Sequence, residues 1–218
     1  MSTNALPVVD ESAAPAERPV ITHMAARKAD KVTVYKKTPQ GDLALHLYLP
    51  PGWKKSDTRP AIIFFFGGGW TGGGPIQFFA KSEYLSSRGI VAISAEYRVK
   101  NTHGVTPDIC VEDARSAMRW LKSHAGGLGI DPKRIIASGG SAGGHLAAAT
   151  AVCPGPDDAG DDLEVSPRPA ALVLFNPVTD MRIEMISSRM PGKTDEEKMA
   201  VAVKISPVAH VTSNTPPS

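Results

Sequence analysis

The sequence predicts an α/β chain in which a mostly parallel sheet carries helices on both faces. Short continuous apolar runs, such as Ala61–Phe66 and Ile90–Ser94, recur along it; helical stretches separate them; and glycine or proline marks nearly every junction. An apolar run without alternation suits a strand buried on both faces, and strands that alternate with helices pair in parallel.

Bulk properties narrow the class. At 218 residues, 42% hydrophobic and 21% charged, the chain has the profile of one soluble domain. A net charge of +2 from 24 basic and 22 acidic residues gives no reason to expect nucleic acid or an anionic membrane as partner. No apolar run approaches the ~18 residues of a membrane span. The first twenty residues have neither a basic start nor an apolar stretch, so they do not read as a signal peptide. Cys110 and Cys153 read as free thiols of a reducing compartment, and a cytoplasmic location is expected. No metal or organic cofactor is implied.

Residues 1–30, rich in Ala, Pro, Ser and charge, read as a flexible arm with a short helix near Met24–Lys28. Residues 31–218 read as one domain. Val32–Lys37 and Leu43–Leu49 alternate apolar and polar side chains around Gly41-Asp42, a hairpin signal. Ala61–Phe66 is the first buried strand, followed by a glycine-rich loop from Gly67 to Gly74. Ile76–Ser87 fits a helix stopped by Gly89, and Ile90–Ser94 a second buried strand. Pro107-Asp108 opens a helix with Ala114, Met118 and Leu121 on one face, and Gly126-Gly127 stops it. Arg134–Ser138 is a third buried strand, Ser141–Val152 a small-residue helix and Ala170–Phe175 a fourth buried strand. Pro154–Glu164, acidic and rich in Gly and Pro, reads as a solvated loop. Thr194-Asp195-Glu196-Glu197 resembles a capping box that starts a helix over Asp195–Lys204.

The chemistry lies in two glycine motifs. Gly139-Gly140-Ser141-Ala142-Gly143 is G-x-S-x-G between a buried strand and a helix. A serine on such a turn is held on a strained backbone that presents Oγ above the sheet, and a Cβ at 139 or 143 would strike neighbouring elements. The helix N-terminus offers unpaired N–H groups and a positive dipole end. Phe66-Gly67-Gly68-Gly69-Trp70 follows an earlier strand, where a polyglycine loop supplies further N–H donors to an oxyanion. Each well-aimed donor is worth ~3 kcal/mol in the transition state. A phosphate loop is not indicated, since G-x-x-x-x-G-K-[ST] is absent.

These motifs, with Glu96-Tyr97-Arg98-Val99 and Gly129-Ile130-Asp131-Pro132-Lys133-Arg134-Ile135, resemble the acetyl esterases and lipases related to hormone-sensitive lipase. The chain is also similar to feruloyl and acetyl-xylan esterases. The resemblance covers about residues 32–177. It implies an α/β-hydrolase fold, Ser141 as nucleophile, and an oxyanion hole built from the N–H groups of Gly68, Gly69 and Ala142. Two departures stand out. The family usually has His where this chain has Phe66, which could hold the loop by packing. The family order is Ser, then Asp or Glu, then His, and no such pair is assignable after Ser141, so the C-terminal strands are expected to be missing.

The remaining candidates are weaker. His145 reads as a packed structural residue and His210 as surface; His23, His46 and His124 lie on the arm, the hairpin and a helix end. His103 and Asp180 follow strands and could reach the site, while Asp113 reads as a solvated or capping carboxylate. The leading expectation is a carboxylic ester hydrolase acting on small, short-chain acyl or acetyl esters. An arylformamidase-type amidase and a non-catalytic binding module are the alternatives.

Overall fold

The computed structural model describes residues 28–218; most of the expected arm, and its helix apart from Lys28, lie outside the described residues. The strands are β1 (Lys31–Thr38), β2 (Gly41–Tyr48), β3 (Arg59–Phe65), β4 (Val91–Ala95), β5 (Ile130–Gly140) and β6 (Ala171–Phe175). The helices are α1 (Phe79–Ser87), α2 (Lys100–His103), α3 (Pro107–Ser123), α4 (Ala142–Val152), α5 (Glu184–Ser187) and α6 (Asp195–Lys204).

The six strands form one sheet in the order β1-β2-β4-β3-β5-β6. The hairpin enters antiparallel, and β2 pairs antiparallel with β4; the pairs β4–β3, β3–β5 and β5–β6 are parallel. Helices cover both faces. Ser94 of β4 hydrogen-bonds Ser82 of α1 (Oγ to Oγ, 3.1 Å) on one face, where Phe64 also stacks on Phe78 at 4.7 Å. Gly139 has the opposite parity, in register with Phe65, and a Cβ on it would come within 2.4 Å of Gly143 in α4. The expected α/β-hydrolase architecture is therefore present.

Several elements differ in detail from the expectation. The helix expected from Ile76 opens as a 3-10 turn over Pro75–Phe78 before α1. β5 begins at Ile130 rather than Arg134, with a register shift opposite Arg59/Ala61. Pro60 lies at that irregularity, since proline has no N–H to give a ladder. β6 was expected to be buried on both faces, yet of its five residues only Leu172 is buried. Among the described residues it is an edge strand, as β1 is on the other side, and Val173 and Phe175 are exposed. The Leu172 N–H donates to the carbonyl of Pro217 at 2.9 Å, so the tail runs along that edge. The capping box is as expected: the Glu197 N–H donates to Thr194 Oγ1, and the Glu197 carboxylate accepts from the Thr194 N–H.

Asp113 corrects the sequence reading most clearly. It is fully buried, not solvated. Its carboxylate accepts from Arg98 Nε (2.9 Å), Arg98 Nη2 (2.7 Å) and the Arg98 N–H (3.0 Å), and Lys36 Nζ lies 2.8 Å away. This ties α3 to β1 and to the segment after β4. The Pro154–Glu164 loop joins the same charged system: Asp157 pairs with Arg115 and Arg119, Asp158 with Lys36, and Asp161 with Arg119. A stretch expected to be merely solvated is thus pinned by buried cations.

Candidate active site

Ser141 sits between β5 and α4 with φ 53° and ψ −117°. A positive φ is costly for any residue with a Cβ, so the surroundings must hold it there. They do so through backbone contacts: the Ser141 N–H donates to the Phe175 carbonyl at 3.0 Å, and its own carbonyl accepts from the His145 N–H at 3.0 Å. Packing around the turn needs glycine. A Cβ on Gly143 would lie 2.0 Å from the Phe65 carbonyl oxygen and 2.4 Å from that of Phe66. Only at such close approach does the helix start directly beneath the end of β3. Ser141 is half-buried, and among the described residues its Oγ takes no hydrogen bond.

The loop after β3 runs beside this serine. A Cβ on Gly67 would be 2.9 Å from the Gly140 carbonyl oxygen and 3.5 Å from Ser141 Cβ. Gly68 (φ 138°), Gly69 (φ 61°) and Trp70 (φ 60°) form a tight left-handed bend. Its Gly68 carbonyl accepts from Thr71 N (3.1 Å), Gly72 N (3.2 Å) and Thr71 Oγ1 (2.9 Å). Among the described residues, none accepts from the N–H of Gly68, Gly69 or Ala142. Three backbone donors therefore remain unmatched on the two motifs around Ser141, and unmatched N–H groups of this kind are able to donate to a negatively charged oxygen.

Phe66 holds the loop by packing, as one sequence reading allowed: its ring stacks on Tyr97 at 4.0 Å with an interplanar angle of 16°. The Tyr97 hydroxyl donates to the Phe66 carbonyl at 2.6 Å. Trp70 reaches α4, its Nε1–H donating to His145 Nδ1 at 3.2 Å. His145 Nε2 then donates to the Ile205 carbonyl at 2.7 Å. His145 is thus the packed histidine that the sequence suggested, and burial pushes its pKa down to about 4.

The other candidates do not gather around Ser141. His103 Nδ1 meets the backbone of Val99, His46 pairs with Glu96, and His124 and His210 meet the carbonyls of Trp120 and Val203. Asp180 accepts from Arg182 Nε and Nη2 (both 2.7 Å) and from Ser206 Oγ (3.1 Å). Its carboxyl is held well below the usual range, chiefly by the Arg182 side chain. Cys110 and Cys153 are free and buried; burial pushes the Cys153 thiol up to about 12. Among the described residues no cluster suits a metal ion, and no helix is long and apolar enough to cross a membrane. Three loop-holding residues escaped the sequence reading. Tyr97 and Trp70 stand inside quoted motifs but gave no sign of their partners, and Gln77, described below, carried no motif at all.

Comparison with known proteins places this geometry. The BD-FAE family model matches residues 45–218. Thermogutta terrifontis esterase 2, phosphoramylated by tabun, superposes with a TM-score of 0.79 at 44% identity, covering 86% of this chain and 68% of that one. The same esterase with butyrate bound gives 0.78 at 43% identity, covering 88% of this chain and 70% of that one. Carboxylesterase NlhH of Mycobacterium tuberculosis is 34% identical over 115 residues, which are 50% of this chain and 34% of that protein. Probable carboxylic ester hydrolase LipM of the same organism is 28% identical over 182 residues, 76% of this chain and 42% of its own length. The chain thus spans about a third to two fifths of these two curated relatives.

Proposed function

Because the chain belongs to the BD-FAE family, we propose that it carries the nucleophile and oxyanion hole of a carboxylic ester hydrolase. The observation that carries the reading is Ser141 at φ 53°, beside a polyglycine bend with unmatched N–H donors. Ser141 Oγ attacks the acyl carbon of a small ester. The carbonyl oxygen becomes an oxyanion held by the N–H groups of Gly68, Gly69 and Ala142. The alkoxide leaves with a proton, an acyl-serine remains, and water releases the acid and restores the hydroxyl. Serine needs a general base for both steps. No described histidine side chain bonds to the Ser141 hydroxyl, so base and acid are assigned to residues outside 28–218.

The solved relatives support this reading. One is phosphoramylated by tabun and another form holds butyrate. Carried to this chain, they suggest a serine open to organophosphates and a pocket for short acyl groups. The two free, buried cysteines support a cytoplasmic location, which fractionation of the native cells would check. Hydrolysis of p-nitrophenyl acetate, butyrate and longer esters by the full-length protein, beside Ser141→Ala, tests the mechanism. A serine-to-alanine variant as fast as the parent would overturn it. N-formylkynurenine, turned over faster than acetyl esters, would favour the amidase alternative. A folded protein inert both to esters and to a fluorophosphonate would favour a binding module.

A further inference from the structure

We propose that Gln77 is the positioning residue of the oxyanion loop, its carboxamide standing in for a missing strand. This rests on the reading of Ser141 and the loop donors given above. The pairing of β3 with β4 ends at Phe65↔Ala95, and with β5 at Phe65↔Gly139. The chain continues beyond that point with no ladder on either side, yet the following glycines must keep a fixed distance from Ser141. Gln77 supplies the constraint. The Gly67 N–H donates to Gln77 Oε1 at 2.9 Å, and Gln77 Nε2 donates to the Gly67 carbonyl at 3.0 Å. One side chain thereby satisfies both backbone groups of one residue, as a hydrogen-bonded strand neighbour does.

The surroundings make this grip matter. Gly67 is the residue that abuts Gly140 and Ser141, and it immediately precedes the donors Gly68 and Gly69. Upstream, the Tyr97 hydroxyl fixes the Phe66 carbonyl. Downstream, the loop folds back so closely that a Cβ on Gly73 would lie 2.4 Å from the Gly67 carbonyl oxygen and 3.1 Å from Gln77 Nε2. Gln77 is itself placed by the 3-10 turn that Pro75 opens, its N–H donating to the Gly74 carbonyl at 3.2 Å. The loop is a closed circuit from Gly67 to Gln77. Cutting the carboxamide would free the peptide planes that carry the donors, without touching the core, because Gln77 is exposed. Glutamine suits the place because it offers a donor and an acceptor side by side; ionised glutamate offers only acceptors, and methionine neither.

The test uses the full-length protein and p-nitrophenyl acetate, with Gln77→Met, Gln77→Glu and Ser141→Ala measured together, and thermal midpoints for each. Gln77→Met is expected to lower kcat about 10- to 100-fold, less than or comparable to losing one oxyanion donor outright. KM should stay within about twofold, since the donors act on the transition state. The melting temperature should shift by no more than a few degrees. Gln77→Glu should be at least as slow near neutrality. Its rate relative to wild type should recover in acid, where the protonated carboxyl regains a donor for the Gly67 carbonyl. Wild-type kcat in Gln77→Met, a loss that merely tracks a large fall in melting temperature, or a flat Glu-to-wild-type ratio across pH would each overturn the proposal. If Ser141→Ala stays active, both readings fall; if it is dead while Gln77→Met is normal, only the role of Gln77 falls.

Discussion

Acidification should weaken this fold through one buried imidazole. His145 has no exposed surface; it accepts from the Trp70 indole and donates to the Ile205 carbonyl. The Trp70 bond requires the neutral ring, since a doubly protonated one has no lone pair at Nδ1; the bond to Ile205 survives protonation, so burial is what disfavours the charged form. Its pKa falls from the usual 6.5 to about 4 in the folded chain. A group depressed in this way contributes stability that is present above pH 6.5 and is lost as pH falls towards 4, because the unfolded chain takes up the proton first. The full effect is ~3 kcal/mol, of which about 2 kcal/mol is lost between pH 7 and pH 5. With a urea slope of about 2 kcal/mol/M, the midpoint should drop by roughly 1 M over that interval. Urea titrations followed by tryptophan fluorescence would measure it, with Trp70 edge-on to the imidazole at 5.4 Å as a local reporter. Glu96, Asp157 and Asp158 also have lowered pKa values and add acid sensitivity of their own, so a non-titrating reference is needed. His145→Gln keeps one acceptor and one donor and should show a midpoint nearly flat from pH 7 to pH 5, apart from that carboxylate contribution. Equal drops in parent and variant would refute the reasoning.

Other substitutions probe other links. Gly143→Ala would set a Cβ 2.0 Å from the Phe65 carbonyl, with backbone on both sides; it should cost about 3 kcal/mol or more and reduce soluble yield, read by circular dichroism after purification. Asp113→Ala removes the fully buried carboxylate that Arg98 and Lys36 share, leaving them only the less buried Glu112 in common. A loss of about 3 kcal/mol is expected in denaturant unfolding, and a change below ~1 kcal/mol would mean that Glu112 holds both cations by itself. Thr194→Ala removes the side-chain acceptor of the α6 capping box; about 1 kcal/mol should be lost, and Thr194→Ser should restore most of it.

The amino-acid order alone determined the alternation of strands and helices, the hairpin, the capping box at Thr194, and the serine and polyglycine motifs at their junctions. These depend on periodicity, on turn-forming residues and on the absence of a Cβ, which are properties of neighbours in sequence. The tertiary structure decided the rest. It put the strands in the order β1-β2-β4-β3-β5-β6, which left β6 at an edge and half-exposed. It turned Asp113 from an expected surface carboxylate into a buried anchor for cations 15 and 77 residues away in sequence. It joined Trp70 to His145, Tyr97 to Phe66 and Gln77 to Gly67. Such bonds form between residues that only packing brings together, and a side chain's local sequence carries no trace of a partner chosen by the path of the chain through space.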